Sequence, residues 1–142
     1  MLQVDDQFEV AAPRSQVFRA WTDFERFPEF MTGVDSVYAE TKERMRWRVS
    51  IARVPRSFYA VVTECRPDER IAWTSVDLTT MGWWIDLDAI DHERTRVTLR
   101  VIWSPRGDGP SEPGLHELDA RTIRCDLQRF RTLAEESLSR AA

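Results

Sequence analysis

The sequence predicts an α+β fold in which a curved antiparallel sheet of about seven strands surrounds one long C-terminal helix. The central part of the chain alternates polar and apolar residues with a period of two, in short runs separated by turns. Residues 115–140 contain neither proline nor glycine, and their apolar residues recur at helical spacing. The length of 142 residues and the apolar fraction of 42% suit one core, so residues 1–142 are expected to form a single domain.

The first elements are predicted from the alternation and from two prolines. Residues 2–10 alternate in hydrophobicity and predict a strand, with a slip in the alternation near Asp5. A proline follows, and proline is favoured in the first turn of a helix, so residues 13–22 are predicted to be helical. Asp23 is expected to cap a second, short helix, whose length Pro28 limits because it has no backbone donor.

An antiparallel meander is predicted to follow the two short helices. Its strands begin near residue 34 and then cover 44–51, 57–65, 70–76, 83–89 and 95–103. Both faces of the run 57–65 are apolar, so its inner face stays open. The adjacent Trp83 and Trp84 must point to opposite faces, which leaves one tryptophan for the outer surface. The proline- and glycine-rich residues 104–114 are predicted to be a loop before the last helix.

The sequence is rich in aromatic residues, with six tryptophans and seven phenylalanines. One helix cannot fill the concave side of so wide a sheet, so an internal space is expected there. A stretch at residues 21–31 is predicted to close one end of it. The residues expected to line or close this space are Phe27, Phe30, Met31, Trp47, Tyr59, Trp73, Trp83, Trp103 and Phe130. Two alternatives stay open, because the same side chains could line a ligand pocket or fill the core outright.

Several classes of function have no support in the sequence. The net charge is −4 and Lys42 is the only lysine, which gives no electrostatic footprint for nucleic acid. The two cysteines lie far apart without metal-ligand spacing, so no metal is expected and the thiols are predicted to be reduced. The N-terminus does not resemble a signal peptide and no run approaches ~18 apolar residues, so a cytoplasmic protein without integral membrane association is expected. No nucleotide, dinucleotide or serine-hydrolase motif is found, and no cofactor is predicted.

Five segments give the chain a resemblance to a known group. It resembles the polyketide cyclase/dehydrase-like members of the START-like superfamily, also called SRPBCC or helix-grip proteins, over nearly its whole length. The matching segments are APRSQVF (12–18), DFERFPEFMTGVDSV (23–37), PDERIAWTS (67–75), TRVTL (95–99) and DLQRF (126–130). The resemblance implies a hydrophobic pocket between the sheet and the C-terminal helix, and an apolar small molecule as the partner.

The resemblance does not decide between catalysis and simple binding. Relatives include enzymes that cyclise or dehydrate polyketide-like chains in bacteria, and such chemistry needs a proton acceptor and a donor for an enolate oxygen. Asp126, in the middle of the last helix, and His116, near its start, are the candidates. Cys65 occupies the position where aromatase/cyclases resembling this chain carry a pocket arginine, which argues against that role.

Two other functions remain open. The first is a carrier or chaperone for a lipid or quinone, as in the coenzyme-Q-binding branch, which shares the aromatic-Pro-x-Phe pattern of residues 27–30. The second is an interaction module with a filled core, whose outer sheet face could form a homodimer contact.

Overall fold

Seven strands and three helices make up the described part of the chain. The computed structural model describes residues 2–51, 54–76, 81–103 and 120–141. In chain order the elements are β1 (Leu2–Val10), α1 (Arg14–Thr22), a 3-10 helix (Phe24–Glu29), β2 (Val34–Ala39), β3 (Arg44–Ile51), β4 (Val54–Arg66), β5 (Arg70–Ser75), β6 (Met81–Ala89), β7 (Thr95–Trp103) and α2 (Ala120–Ala141).

All seven strands belong to one antiparallel sheet in the order β1-β7-β6-β5-β4-β3-β2. Strands β2 to β7 form a meander, and β1 pairs with β7 at one edge. The connection from edge strand β1 to edge strand β2 is made by α1 and the 3-10 helix. Helix α2 packs against β1 and α1. The predicted α+β helix-grip architecture is therefore confirmed.

The two short helices follow the prediction in position but differ from it in detail. Pro13, with φ −60° and ψ 152°, precedes α1, as expected for a proline at a helix start. The expected side-chain cap by Asp23 is wrong, because its carboxylate makes no cap hydrogen bond. Its ψ of 70° lies outside the extended region from which a side chain reaches the next amides. A further difference is that the second helix is a 3-10 helix, with Pro28 inside it, whereas α1 is an α-helix.

A bulge in β4 settles which residues of that strand face inward. Strand β4 pairs with β5 up to Val62, and the register shifts between Val62 and Glu64. Before the shift Ala60 is buried and Tyr59 is exposed. A bulge adds one residue to one strand, so it reverses the alternation beyond it. Cys65 pairs with the buried Ile71 and therefore lies on the inward side. Without the bulge, the six positions between Tyr59 and Cys65 would place both residues on the outward face.

The slip predicted in β1 is absent. Residues 2–10 pair with β7 without a register shift. Asp6 simply occupies an inward position between Val4 and Phe8 and stays half-buried. The described part of the last predicted helix is α2, whereas residues 115–119 and the predicted loop 104–114 lie outside the described residues.

The two adjacent tryptophans of β6 point to opposite faces, as the alternation requires. Trp83 is 1% exposed and belongs to the core. Trp84 is half-buried on the outer face, where its ring lies across Gly82. A Cβ atom added to Gly82 would lie 2.5 Å from Cη2 of Trp84, so this position holds a glycine for a steric reason.

A double-mutant cycle tests this contact. Gly82→Ala should lower the free energy of unfolding by about 1 kcal/mol, because the Trp84 ring must move. In a Trp84→Ala background the same change should be neutral or should stabilise by up to about 1 kcal/mol, because glycine is unfavourable inside a strand. Urea unfolding of the four proteins measures the coupling. Equal effects in both backgrounds would show that the two side chains do not interact.

Candidate functional site

An apolar cavity lies between the sheet and the N-terminal part of α2. It has a volume of about 30 Å³, which is room for little more than a water molecule. Its walls come from the segment after the 3-10 helix, from β3, β6 and β7, and from α2. The lining residues are Met31, Thr32, Gly33, Val34, Trp47, Val49, Met81, Trp83, Val101 and Ile123.

Aromatic side chains fill the interior beside this cavity. Trp21 stacks on Phe130 with ring centroids 3.8 Å apart, which joins α1 to α2. Trp73 and Trp83 stack across β5 and β6 with centroids 5.5 Å apart and planes 13° from parallel. Phe27, from the 3-10 helix, meets the edges of both these rings and of Trp47. This packing leaves the cavity small.

Three of the residues predicted from the sequence line the cavity, namely Met31, Trp47 and Trp83. Four others are buried in the aromatic core and do not contribute to the cavity wall. These are Phe27, Phe30, Trp73 and Phe130. The side chain of Trp103 and the whole of His116 lie outside the described residues.

The structure contradicts the expected placement of Tyr59 in the pocket. Tyr59 is 38% exposed on the outer face of β4, and the guanidinium of Arg44 lies 4.3 Å from its ring centroid. An uninterrupted strand would place Tyr59 and Cys65 on the same face, because an even number of positions separates them, but the β4 bulge puts them on opposite faces. Its hydroxyl is therefore unable to donate into the cavity from this position.

Sequence reasoning missed most of the aliphatic wall. Val49 and Val101 occupy inward positions of the predicted strands. The alternation does not distinguish a residue that lines a cavity from one that is packed in the core. Met81 and Ile123 reach the cavity only because the start of β6 and the first turns of α2 meet there. No pattern in the sequence predicts that the start of β6 lies next to the first turns of α2.

One side chain that lines the cavity carries a buried donor without an acceptor among the described residues. The indole Nε1–H of Trp47 is buried and has no hydrogen-bond partner among the described residues. Trp47 is 1% exposed. A buried donor without a partner costs about 1–3 kcal/mol, so an acceptor oxygen brought to this nitrogen would recover part of that cost.

Asp126 lies beside the cavity and holds its wall in place. The side chain is 1% exposed, as expected from its inward position on α2. Its Oδ2 accepts a 2.9 Å hydrogen bond from the backbone N–H of Thr32, and its Oδ1 accepts a 2.8 Å bond from the Thr32 hydroxyl. Arg129, one turn along the helix, lies 3.4 Å away. Asp126 therefore ties α2 to the segment that carries Met31 and Thr32.

Burial raises the pKa of Asp126, and the two hydrogen bonds from Thr32 and the charge of Arg129 only partly oppose this. Both carboxylate oxygens are already engaged by Thr32. Proton abstraction from a ligand would require Asp126 to release one of these bonds. The contacts support a structural role more directly than a catalytic one.

Within the described ranges, no group of His, Cys, Asp and Glu side chains is arranged to hold a metal ion. None of the helices in those ranges combines the length and the hydrophobicity that crossing a membrane would need. His92 is exposed in the β6–β7 turn.

The sequence matches the family described as polyketide cyclase/dehydrase and lipid transport over residues 10–129. The chain belongs to this family. A Streptomyces lincolnensis protein of 17.2 kDa, encoded in the melC2–rnhH intergenic region and uncharacterized, is 33% identical over 139 residues. That alignment covers 96% of this chain and 91% of the relative.

Solved structures share the fold. DR_A0006 from Deinococcus radiodurans is 25% identical and superposes with a TM-score of 0.76, over 96% of this chain and 99% of that one. A START superfamily protein from Mycobacterium smegmatis has a TM-score of 0.71 at 13% identity, covering 99% of both chains. The Zhui aromatase/cyclase from Streptomyces sp. R1128 has a TM-score of 0.70 at 18% identity, over 96% of this chain and 94% of that one. This chain therefore has the START-like fold.

The buried carboxyl gives a pH-dependent prediction. Because the native pKa of Asp126 is raised, the native state holds the proton more tightly than the unfolded chain. The stability contributed by this group is thus greatest below the unfolded pKa of 3.8 and falls as the pH rises through the native pKa. Asp126→Asn can still accept from the Thr32 amide and donate to its hydroxyl. The free energy of unfolding of Asp126→Asn, minus that of the unsubstituted protein, should rise with pH between the unfolded and the native pKa of Asp126. It should stay constant at higher pH.

Asp126→Ala is the matched comparison, because it removes both hydrogen bonds as well as the charge. It should lower the free energy of unfolding by about 1–3 kcal/mol at neutral pH. Urea unfolding between pH 4 and 8 measures all three proteins. A difference between the Asn variant and the native protein that does not change with pH would show that the buried charge is not penalised.

The size of the cavity gives a second prediction, from two valines of β7. Val101 lines the cavity, whereas Val97 is fully buried and does not. Val101→Ile should raise the free energy of unfolding by up to about 0.8 kcal/mol, since the added methyl group fills empty space. Val97→Ile should lower it by about 1–3 kcal/mol, because the packing there has no room. Similar losses in both variants would show that the cavity cannot accept a methyl group.

Proposed function

We propose that this protein binds a small, flat apolar molecule that carries an acceptor oxygen such as a ketone. The site is the cavity between the sheet and the N-terminal part of α2. The observation that carries the proposal is the buried Trp47 indole N–H, which has no acceptor among the described residues and belongs to a cavity-lining side chain.

The lining supports an apolar ligand with few polar groups. Valine, isoleucine, methionine and tryptophan side chains form most of the wall. Binding sites for small molecules are commonly of this kind, with a small number of polar groups that fix the orientation. A carbonyl oxygen at Trp47 Nε1 would satisfy the unpaired donor, and the flat part of the ligand would lie against Trp83.

The cavity must widen to admit such a molecule. Met31 and Met81 form part of its wall. Methionine has three rotatable bonds and no branch, so it adapts to a change in volume at lower cost than valine or isoleucine. Rotation of these two side chains is the proposed route by which the cavity opens.

Binding, rather than turnover, is the activity that the contacts support. Among the described residues Asp126 is the one buried carboxylate, and the hydrogen bonds from Thr32 occupy it. The family description covers both cyclase/dehydrase and lipid-transport proteins, so a carrier is consistent with it. We place this activity in the cytoplasm, a location supported by the free thiols of Cys65 and Cys125.

An interaction module with a filled core is the second candidate. The aromatic packing favours it, as does the exposure of Tyr38 (62%) and Val76 (55%). In this alternative the outer sheet face would form a homodimer contact. Sedimentation equilibrium distinguishes it, since the binding proposal does not require a dimer.

Acetophenone and ethylbenzene form a matched pair of probes, because they differ mainly in the ketone oxygen. Spectra of the ¹³C-labelled methyl groups of Val49, Val101 and Ile123 should shift on addition of acetophenone, and less on addition of ethylbenzene. Trp47→Phe should remove the preference for the ketone, since it removes the N–H and keeps a ring. Trp84→Phe, on the outer face, is the control and should leave the preference intact.

A larger cavity provides the decisive comparison. Met81→Ala should bind both probes more tightly, although it should also lose about 2–5 kcal/mol of stability. If neither probe shifts these methyl groups even in Met81→Ala, the interior is a filled core and the binding proposal is wrong. If Trp47→Phe keeps the preference for the ketone, the donor assigned to Trp47 is wrong.

A further inference from the structure

A second hollow lies at the opposite end of the sheet from the cavity. We call it the hairpin groove; it runs between α1 and the 3-10 helix on one side and the β2–β3 turn, β4 and β5 on the other. Its volume is about 600 Å³. Sites for small molecules commonly have about 300–1,000 Å³, so this groove is large enough where the cavity is not.

Apolar side chains form the floor of the hairpin groove. Ile71 is 1% exposed and Phe24 6% exposed, and the partly buried Phe18 and Val62 pack beside them. The edge of the Phe24 ring meets Trp73 with centroids 5.1 Å apart, so Phe24 separates the groove from the aromatic core. The floor of the groove therefore packs directly against the aromatic core.

Two opposite charges lie at the rim of the groove without a partner among the described residues. Lys42 and Glu43 both line the groove, and neither side chain has a hydrogen bond or an ion pair with the described residues. Glu40, the acid before the turn, pairs with Arg44 at 3.2 Å and not with Lys42. The Thr41 hydroxyl accepts the backbone N–H groups of Glu43 and Arg44, which holds the turn that presents these two charges.

We propose that the hairpin groove binds a single-chain zwitterionic amphiphile from solution. Its apolar chain would lie on Phe18, Phe24, Val62 and Ile71. Its anionic group would meet the Lys42 ammonium, and its cationic group the Glu43 carboxylate. A purely anionic or purely cationic amphiphile would satisfy one rim charge and be repelled by the other. This site is independent of the cavity and of the function proposed for it.

Decylphosphocholine, used below its micelle concentration, is the probe. Isothermal titration calorimetry should show saturable binding, and the methyl signals of Val62 and Ile71 should shift while those of Val49 and Val101 do not. Ala39→Phe places a ring in the groove from an exposed position and should abolish binding. Ala89→Phe, which adds the same ring to an exposed position at the end of β6, is the control and should bind normally.

The rim charges give changes of opposite sign with singly charged probes. Lys42→Gln and Glu43→Gln should each weaken decylphosphocholine binding by about two- to fivefold, the size expected for exposed charges. With decanoate, Lys42→Gln should weaken binding and Glu43→Gln should strengthen it. With decyltrimethylammonium the two effects should be reversed. Both positions lie on an exposed turn, so the variants should fold normally.

Four results would overturn the proposal. These are absence of binding, binding that survives Ala39→Phe, methyl shifts at Val49 and Val101 in place of Val62 and Ile71, and equal effects of both charge changes on all three probes. The protein could also float with dioleoylphosphatidylcholine vesicles. If Ala39→Phe abolishes this flotation, the groove binds a membrane surface and not a single amphiphile from solution. Val101→Ile should not affect decylphosphocholine, so failure of the cavity proposal leaves this one standing.

Discussion

The packing of Phe27 is the contact on which the rest of the structure depends. Its ring is fully buried at the centre of six aromatic neighbours, with centroid distances of 4.8 to 6.2 Å. These neighbours come from α1, the 3-10 helix and the residue that follows it, β3, β5 and β6, and they are Trp21, Phe24, Phe30, Trp47, Trp73 and Trp83. Edge-to-face and tilted geometries of this kind contribute beyond the burial of area. This short helix therefore joins α1 to the sheet.

This central cluster also divides the interior into two unequal hollows. On one side the strand ends carrying Val49, Met81 and Val101 enclose the small cavity. On the other, Val62 and Ile71 form the floor of the hairpin groove. Bulky aromatic rings occupy the space that a wider cavity would need. The volume of the small cavity therefore depends on how closely these rings pack.

Two buried polar groups near the small cavity have different hydrogen-bonding states. Asp126 is buried and fully hydrogen-bonded, and it fixes the position of the Thr32 segment against α2. The Trp47 indole is buried and lacks an acceptor among the described residues. A satisfied buried group stabilises the wall, whereas an unsatisfied donor is costly until something binds to it. The two groups lie at the same cavity and have opposite consequences for it.

The local patterns of the sequence determined the elements of this protein. The alternation in β3, with Met45, Trp47 and Val49 inward, and the apolar stripe of α2 are consequences of strand and helix periods, which neighbouring residues set by themselves. They therefore predicted the fold class and the inward position of Asp126. They also predicted that only one of Trp83 and Trp84 is in the core.

Only the tertiary structure decided how these side chains meet. The β4 bulge reversed the relation between Tyr59 and Cys65, because it depends on pairing with β5 and leaves no mark in the strand's own residues. The size of the cavity likewise depends on how the rings of Phe27, Trp73 and Phe130 interlock. Periodicity specifies the face on which a side chain lies. Its neighbours across the core, and the space left between them, follow from the packing of distant segments.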